Sequence, residues 1–400
     1  MLKDVEPEPE PEPGVVEASV CQRVLKTLLL CTGDMEHLVK FMKDKFIVLQ
    51  LVVCCLRGVS RVTLANNPLS GAFILAALYW ASPWQGLLGT LGVLVSTLTA
   101  VILGQDSGEI SGGLHGFNGM LVSLLIGEFS SADDWYWWLL LPVCFGSATC
   151  VFLYSGLSSV LDRWGLPASV FPFNIVIVLY LLCSGSENPY FPQHPAKPPG
   201  GLDSNGTKLV ITEVMRGIPL GVGQIFACAA LGPSLLILAA ILLYSPLLAY
   251  HALLGSAVGT LAGLSMAVRH GSLYSGLMGF NGALGCMAVG GLFFTFSWRT
   301  HLFAIASAFL SAYGDIALSN LLGTVGLPAC SWAATLTATL MLLLTGSLAA
   351  YRIPIGQVMA PEHNLLFRSR WEAQNAAEKE NANISLQGVH TNSKSIASEP

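Results

Sequence analysis

Charged residues are scarce in this chain of 400 residues. Asp, Glu, Lys and Arg together make up 11% of the sequence, whereas hydrophobic residues make up 53%. Ordinary soluble domains carry about 25% charged residues, so the composition excludes a soluble globular protein. The net charge of −5 is modest, and the absence of a basic stripe excludes nucleic acid as a partner. Most of the chain is predicted to lie in the lipid bilayer.

The sequence also lacks the patterns that mark metal sites and enzymes. Its ten cysteines include no CxxC pair, and most lie in or beside apolar runs, which favours buried small hydrophobes over a disulfide framework. There is no phosphate-binding loop and no nucleophile beside a base, so we predict no enzyme, no cofactor and no metal. His115 stands alone in an apolar segment. A structural histidine is favoured there over a proton-handling one.

Polar segments flank the apolar part of the chain. Residues 1–32 contain an acidic Glu-Pro repeat, and residues 362–400 are rich in Asn, Ser, Glu and Ala. Neither composition builds an apolar core, so both are predicted to be disordered tails. No cleavable signal peptide is visible, and membrane insertion is therefore expected to start from an internal span.

One motif occurs twice. Leu114-His-Gly-Phe-Asn-Gly119 returns in the second half as Leu277-Met-Gly-Phe-Asn-Gly282, and Gly165-Leu-Pro-Ala168 returns as Gly326-Leu-Pro-Ala329 at nearly the same spacing. A duplicated half-chain with a Gly-broken apolar segment in each copy is typical of transporters whose site lies between two membrane repeats. The sequence predicts a first membrane repeat over residues 33–184, a linker over 185–208 and a second repeat over 209–361.

Apolar runs predict five membrane crossings in each half. They lie near residues 46–64, 69–82, 84–104, 135–155 and 170–184, and near residues 209–229, 232–248, 250–268, 299–319 and 329–349. The segments that carry the repeated motif, about 112–128 and 275–292, are predicted to be re-entrant half-helices. Because five is odd, the second half enters from the opposite face. The predicted fold is an all-α polytopic membrane protein with two inverted repeats of five transmembrane helices plus one re-entrant half-helix each.

The linker and the basic residues predict the orientation. Five crossings from a cytosolic N-terminus place the linker outside the cell, and the linker contains the sequon Asn205-Gly-Thr207, so Asn205 is predicted to be glycosylated. Lys and Arg residues precede the first span and follow the last, as the positive-inside rule expects for two cytosolic termini.

Several further motifs occur in order between Gly33 and Glu362. They are Arg57-Gly58, Asn66-Asn67-Pro68-Leu69-Ser70-Gly71, the two Gly-Phe-Asn-Gly copies, Leu141-Pro142-Val143-Cys144, Gly221-Val222-Gly223-Gln224-Ile225 and Gly326-Leu-Pro-Ala-Cys330. Together they resemble the urea transporter family. The resemblance implies a pore through every protomer, assembly as a homotrimer and urea as the substrate.

The resemblance also implies which residues line the pore. Phe117 and Leu121, with their repeat mates Phe280 and Leu284, match apolar residues that line or support the family's slot. Gln224 matches an amide at one end of the pore that both accepts from and donates to urea. The alternatives are ordinary core packing for the apolar side chains and a backbone hydrogen bond for the amide.

Some departures from the family pattern fall at pore positions. Arg61 stands where the family has the first-repeat Gln; Arg offers five donors and no acceptor, and a position near a pore mouth would let it snorkel. Val170 replaces one of two central hydroxyls, and Ser331 occupies the matching second-repeat position. Leu64 replaces an aromatic residue, and residues 229–231 replace Asp-Asn-Pro.

Two functions are therefore weighed. The leading hypothesis is facilitated, channel-like passive transport of urea across the plasma membrane, since paired intramembrane charges that would relay protons or sodium are scarce. The alternative is a non-conducting paralogue, or a channel with altered selectivity for water, ammonia or urea analogues, because of Arg61 and Val170.

Overall fold

The computed structural model describes residues 30–42, 44–130, 135–185, 188–191, 194–200, 208–346 and 351–365, with residues 369 and 373. Asn205 and most of the two predicted tails lie outside the described residues. The all-α prediction is confirmed for the described part of the chain, where the only β pairing is an isolated bridge between Phe294 and Arg352.

Helices of the first half are numbered in chain order. They are α1 (Glu36–Met42), α2 (Ile47–Arg61), α3 (Pro68–Ala81), α4 (Pro83–Ile102), α5 (Ser107–Ser111), α6 (Gly116–Ser130), α7 (Leu140–Leu161, entered through the 3-10 turn Trp137–Leu139) and α8 (Phe171–Ser184).

The second half follows the same order. Its helices are α9 (Ile211–Gly223, ending in the 3-10 turn Gln224–Phe226), α10 (Leu231–Tyr244), α11 (Pro246–Ser265), α12 (His270–Tyr274), α13 (Phe280–Met287, continued by the π-helical turn Ala288–Leu292), α14 (Trp298–Gly323) and α15 (Trp332–Leu342). The two halves pack together through α3 and α10, where the Ser70 hydroxyl donates to Ala240 O at 2.7 Å.

Four helices of the described chain are long and apolar enough to cross a membrane unaided. They are Pro83–Ile102, Trp137–Trp164, Pro246–Ser265 and Trp298–Gly323, and a fifth span results if Ile211–Phe226 and Leu231–Tyr244, which meet at a 74° bend, are counted as one. The other predicted crossings coincide with helices of 11 to 15 residues. At 1.5 Å per residue these are shorter than the hydrocarbon core of about 30 Å. The predicted spans are thus helical, but the helix lengths do not by themselves show ten full crossings of the membrane.

Serine and proline set the same helix boundary in both halves. Ser82 and Ser245 are each followed by a proline at the first helical position, where a missing N–H costs nothing. The Ser82 hydroxyl accepts from the Gln85 N–H at 3.3 Å, and the Ser245 hydroxyl accepts from the Leu248 N–H at 3.0 Å. Both following helices, α4 and α11, are 20 residues long.

Unusual backbone conformations also recur at matching positions. Leu64 and Ala227, which are equivalent when the repeated motifs are aligned, have left-handed φ values of 61° and 55°. Ser169 and Cys330, which each follow a copy of Gly-Leu-Pro-Ala, have φ values of 47° and 48°. Such conformations are uncommon for residues other than glycine. The two halves therefore share local backbone geometry as well as sequence.

Glycines of the repeated motif permit unusually close helix packing. A Cβ added to Gly119 on α6 would overlap the Ser96 hydroxyl of α4, and one added to Gly282 on α13 would overlap Gly255 O of α11. Small residues of this kind let helix backbones approach closely. The motif glycines thus hold α6 and α13 against the long helix that precedes each.

A few of the described residues lie on the tail side of each predicted boundary. Leu30 and Cys31 are helical, and the Asn67 amide donates to Cys31 O and Gly33 O at 2.8 Å each. Residues 361–365 are also helical. There the buried Asn364 amide donates to Gly291 O at 2.8 Å. Buried backbone carbonyls need such partners, so side-chain amides hold both segments against the helices.

Substitution of Gly119 by Ala is expected to destabilise the protein. The added methyl group would force α6 away from Ser96, and overpacking of this kind costs about 1–3 kcal/mol. Thermal unfolding of the purified protein in detergent would report it as a lower midpoint.

Gly156→Ala is the matched control, because nothing lies within 4 Å of a Cβ added at this helical position. We expect this variant to unfold at the wild-type temperature or slightly above it, since Ala favours helix more than Gly. Equal midpoints for the two variants would contradict the close packing of α4 against α6.

Candidate functional site

One internal cavity of about 490 Å³ is lined by residues from both halves of the chain. All nine residues predicted from the sequence to line a pore border it. They are Arg61, Leu64, Phe117, Leu121, Val170, Gln224, Phe280, Leu284 and Ser331. Its volume lies within the usual range for small-molecule sites.

Phenylalanine and leucine side chains from α6 and α13 form apolar walls. Phe117 and Leu121 are buried, while Phe280 and Leu284 are partly buried in the same cluster. Phe117 also packs edge-on against Tyr154, with ring centroids 6.2 Å apart. Core packing and cavity lining are therefore not alternatives at these positions, because the same side chains do both.

The motif asparagines connect α6 and α13 to the starts of α8 and α15. Asn118 donates to Ser169 O at 3.1 Å and accepts from the Phe173 N–H at 3.1 Å. In the second half, the Asn281 amide donates to Cys330 O at 2.9 Å and accepts from the Ala334 N–H at 3.2 Å. Sequence reasoning assigned no role to these two residues, although their place in a repeated motif was a usable signal.

Arg61 and Gln224 make equivalent contacts. Arg61 Nε donates to Gly112 O at 2.9 Å, and Gln224 Nε2 donates to Ser275 O at 2.9 Å. The two acceptors, like the two donors, are equivalent positions of the repeat, and each acceptor terminates a five-residue helix, α5 or α12. Arg61 is half-buried and borders the cavity. Its guanidinium thus replaces the amide as a backbone anchor and brings a charge to the cavity wall.

Polar groups of α8 and α15 meet where the two halves of the chain come together. Asn174 is fully buried; its Nδ2 donates to Val170 O at 3.0 Å and lies 3.4 Å from the Thr335 hydroxyl. Its Oδ1 accepts from the Ser331 N–H at 3.2 Å and lies 3.3 Å from the Ser331 hydroxyl. Val170 presents no hydroxyl at the matching point. An Asn within the apolar stretch of α8 was the sequence signal for this cluster, and it was missed.

Charged residues border the cavity near Arg61. Glu109 and Asp162 line it, and Glu109 Oε2 lies 3.2 Å from His115 Nε2. The His115 side chain is buried, stands edge-on to Tyr154 at 5.1 Å, and is not among the described residues that border the cavity. This placement favours the structural interpretation of His115.

A second charged position was missed in the sequence. Asp315 lies inside α14, is 2% exposed and borders the cavity. Ionisable residues within membrane helices are rare and mark functional sites, so the carboxylate in this long apolar segment was a usable signal. The sequence analysis treated intramembrane charges as scarce and did not single out Asp315.

Segments from two different regions of the chain border the cavity. Ala196, Lys197 and Pro199 belong to the linker, and Ala196 N donates to Gly326 O at 3.0 Å. Ile355 and Val358 belong to the segment that follows α15. The cavity therefore extends between the helices from the linker to the segment before the C-terminal tail. Together, the apolar helices and the cavity indicate a multi-pass membrane protein with an internal cavity whose volume suits small molecules.

Comparison with known proteins gives the family. Residues 52–346 match the urea transporter family. The chain is 42% identical over 345 residues to urea transporter 1 of Rattus norvegicus and 42% identical over 344 residues to that of Mus musculus, covering 86% of this chain and 90% of each relative. Urea transporter 1 of Capra hircus is 41% identical over 348 residues, which are 86% of this chain and 91% of the relative. The chain belongs to the urea transporter family, a family of transport proteins rather than enzymes.

Replacement of Arg61 by Gln is expected to raise urea flux. Gln would keep the hydrogen bond to Gly112 O, as Gln224 does to Ser275 O, while removing a charge and adding a carbonyl acceptor. We expect urea flux to rise about fivefold, which corresponds to a permeation barrier that is lower by about 1 kcal/mol. Urea entry into proteoliposomes measures it.

Arg216→Gln is the matched control, because Arg216 is half-exposed and pairs with Glu213 on α9, away from the cavity lining. We expect its flux to equal that of the wild type. The reciprocal variant Gln224→Arg should lower flux. Unchanged flux in Arg61→Gln would show that Arg61 does not face the permeation path.

Proposed function

We propose that this protein carries out facilitated, channel-like passive transport of urea across the plasma membrane, through a pore in each protomer. The observation that carries the proposal is that one cavity is bordered by all nine pore residues predicted from the sequence. Membership of the urea transporter family supports the substrate.

The chemistry of urea suits this cavity. Urea is flat, neutral and dipolar, with N–H donors at one edge and a carbonyl acceptor at the other. Phe117 and Phe280 supply apolar surface for its faces, and the Gln224 amide offers both donor and acceptor atoms. We expect such contacts to bind urea weakly, because conduction requires that the solute be released.

The proposed architecture consists of two inverted repeats, each with five crossings and one half-helix. Equivalent side-chain anchors in the two halves, made by Arg61 and Gln224 and by Asn118 and Asn281, support the duplication. Helices shorter than the bilayer fit the broken or tilted spans of such transporters. The cytosolic location of both termini rests on the basic flanks of the first and last spans, and the homotrimer rests on the family resemblance.

Arg61 fits a conducting protein. Its Nε makes the same backbone contact as the amide of Gln224, which gives the side chain a structural use apart from any effect on the path. The non-conducting alternative, and a selectivity shifted toward water, ammonia or urea analogues, are kept as outcomes of the flux test.

Stopped-flow light scattering of proteoliposomes is the direct test. Purified trimeric protein would be exposed to a urea gradient, with parallel runs for water, ammonia and thiourea. We expect rapid, saturable urea entry well above that of empty liposomes, because a cavity lined by amide and apolar groups lowers the barrier for a small neutral dipole.

Empty liposomes and liposomes that contain an unrelated membrane protein provide the background. Urea entry at the background rate in correctly assembled protein would overturn the proposal. Flux of another solute in the same sample would then identify the altered selectivity, and the absence of any flux would identify the non-conducting paralogue.

Restoration of the second central hydroxyl is expected to increase urea flux further. Val170→Thr changes shape little and places a hydroxyl opposite Ser331, which gives urea a further polar partner. We expect an increase of about twofold, smaller than that of Arg61→Gln. Val160→Thr, at an exposed position of α7 that is outside the cavity lining, is the control. Flux that falls in Val170→Thr would contradict the proposed role of the central hydroxyls.

A further inference from the structure

A buried carboxylate stands in the wall of the cavity. Asp315 lies on α14, one of the helices long enough to span a membrane, and is 2% exposed. The Ser319 hydroxyl, one turn along the same helix, donates to Asp315 Oδ1 at 3.3 Å. The Asn281 amide of the repeated motif lies beside the same carboxylate. Since a carboxylate accepts about four hydrogen bonds, these neighbours leave acceptor capacity unused.

Asp315 has no cationic partner in the described part of the chain. No Lys, Arg or His nitrogen of those residues forms an ion pair with it. Buried carboxylates are normally paired or bound to a metal, so an unpaired one that borders a cavity is costly to keep. A cationic ligand would supply the missing partner.

The second half alone carries this charge. When the two Gly-Leu-Pro-Ala copies are aligned, Tyr154 is the counterpart of Asp315 and Ser158 is the counterpart of Ser319, and all four border the cavity. Tyr154 packs against the rings of His115 and Phe117. In the first half, the Tyr154 side chain therefore serves packing. At the matching position of the second half, Asp315 presents a hydrogen-bond acceptor.

We propose that Asp315 forms a binding site in the cavity for small planar N–H cations of the guanidinium class, which compete there with urea. Guanidinium has the flat shape and size of urea but replaces the carbonyl oxygen with an NH₂ group and carries a positive charge. Its planar fork of donors matches a carboxylate through two parallel hydrogen bonds. The competition with urea rests on the proposed function, whereas binding of the cation does not.

Other charges border the same cavity and set the context. Lys197 and Arg61 are cationic, and Glu109, Glu128 and Asp162 are acidic. Of the acidic residues of the described chain that border this cavity, only Asp315 is buried, which removes the water that weakens ion pairing at exposed sites. Arg61 borders the same cavity, so a bound cation shares the cavity with a positive charge. We therefore expect guanidinium to bind and to inhibit more readily than it permeates.

Binding of radiolabelled guanidinium to the purified protein in detergent tests the site without any flux measurement. At mildly alkaline pH, where carboxylates are ionised, the wild type should bind the label, and unlabelled urea should displace it. Sodium and tetramethylammonium should not, because neither presents N–H donors. Asp315→Asn should weaken binding about tenfold, the effect of losing one charge-assisted contact.

Glu128→Gln is the control, since it removes the same formal charge from an exposed position that borders the same cavity; it should bind guanidinium as the wild type does. Asp315→Ser replaces Asp315→Asn if that variant does not assemble. Equal binding by the wild type and the Asp315 variants, or no binding by the wild type, would overturn the site.

In proteoliposomes, guanidinium should inhibit urea entry in the wild type and about tenfold less in Asp315→Asn. Binding without any urea flux would support the site while refuting the proposed function.

Discussion

Hydrogen bonds from two asparagine amides are the constraint on which the site depends. Asn118 on α6 and Asn281 on α13 each connect their helix to the start of the last helix of the same half, through one donated and one accepted bond to backbone. These bonds fix the rotation of α6 and α13 about their own axes. Because of this, Phe117 and Phe280, which precede the asparagines, face a common cavity.

Much of this arrangement could be predicted from the sequence, because the repeated motif and the apolar runs both reflect local physics. The helices fall where the apolar runs predicted them, and all nine predicted site residues border one cavity. The polar cluster around Asn174 and the carboxylate of Asp315 were missed. Each is a single polar residue in an apolar helix, and its meaning depends on which side chains from the other helices meet it. The contacts of Asn364 could not be predicted for a similar reason, since the carbonyls that it binds belong to Gly291 and Leu292, far away in the sequence.

The two halves share a backbone plan but differ in the charges they place on it. Arg61 occupies the position of an amide, and Asp315 that of a tyrosine. Both substitutions keep a local structural contact, to Gly112 O in one case and within α14 in the other. At both positions, a hydrogen bond of the side chain keeps a local contact although the charge differs from that of the repeat mate. The two halves therefore place different charges on the wall of the cavity.

Asn174 links the halves in a way that limits how they can move. Its amide contacts Val170 O in its own half and the Ser331 and Thr335 side chains in the other, and Asn174, Ser331 and Thr335 are all buried. A cycle in which one half rocked against the other would have to break and remake these bonds for every solute carried. Diffusion along a static cavity leaves them intact. The seam at Asn174 therefore supports the proposed channel-like transport, for which we expect a rate that varies weakly with temperature because these bonds stay intact.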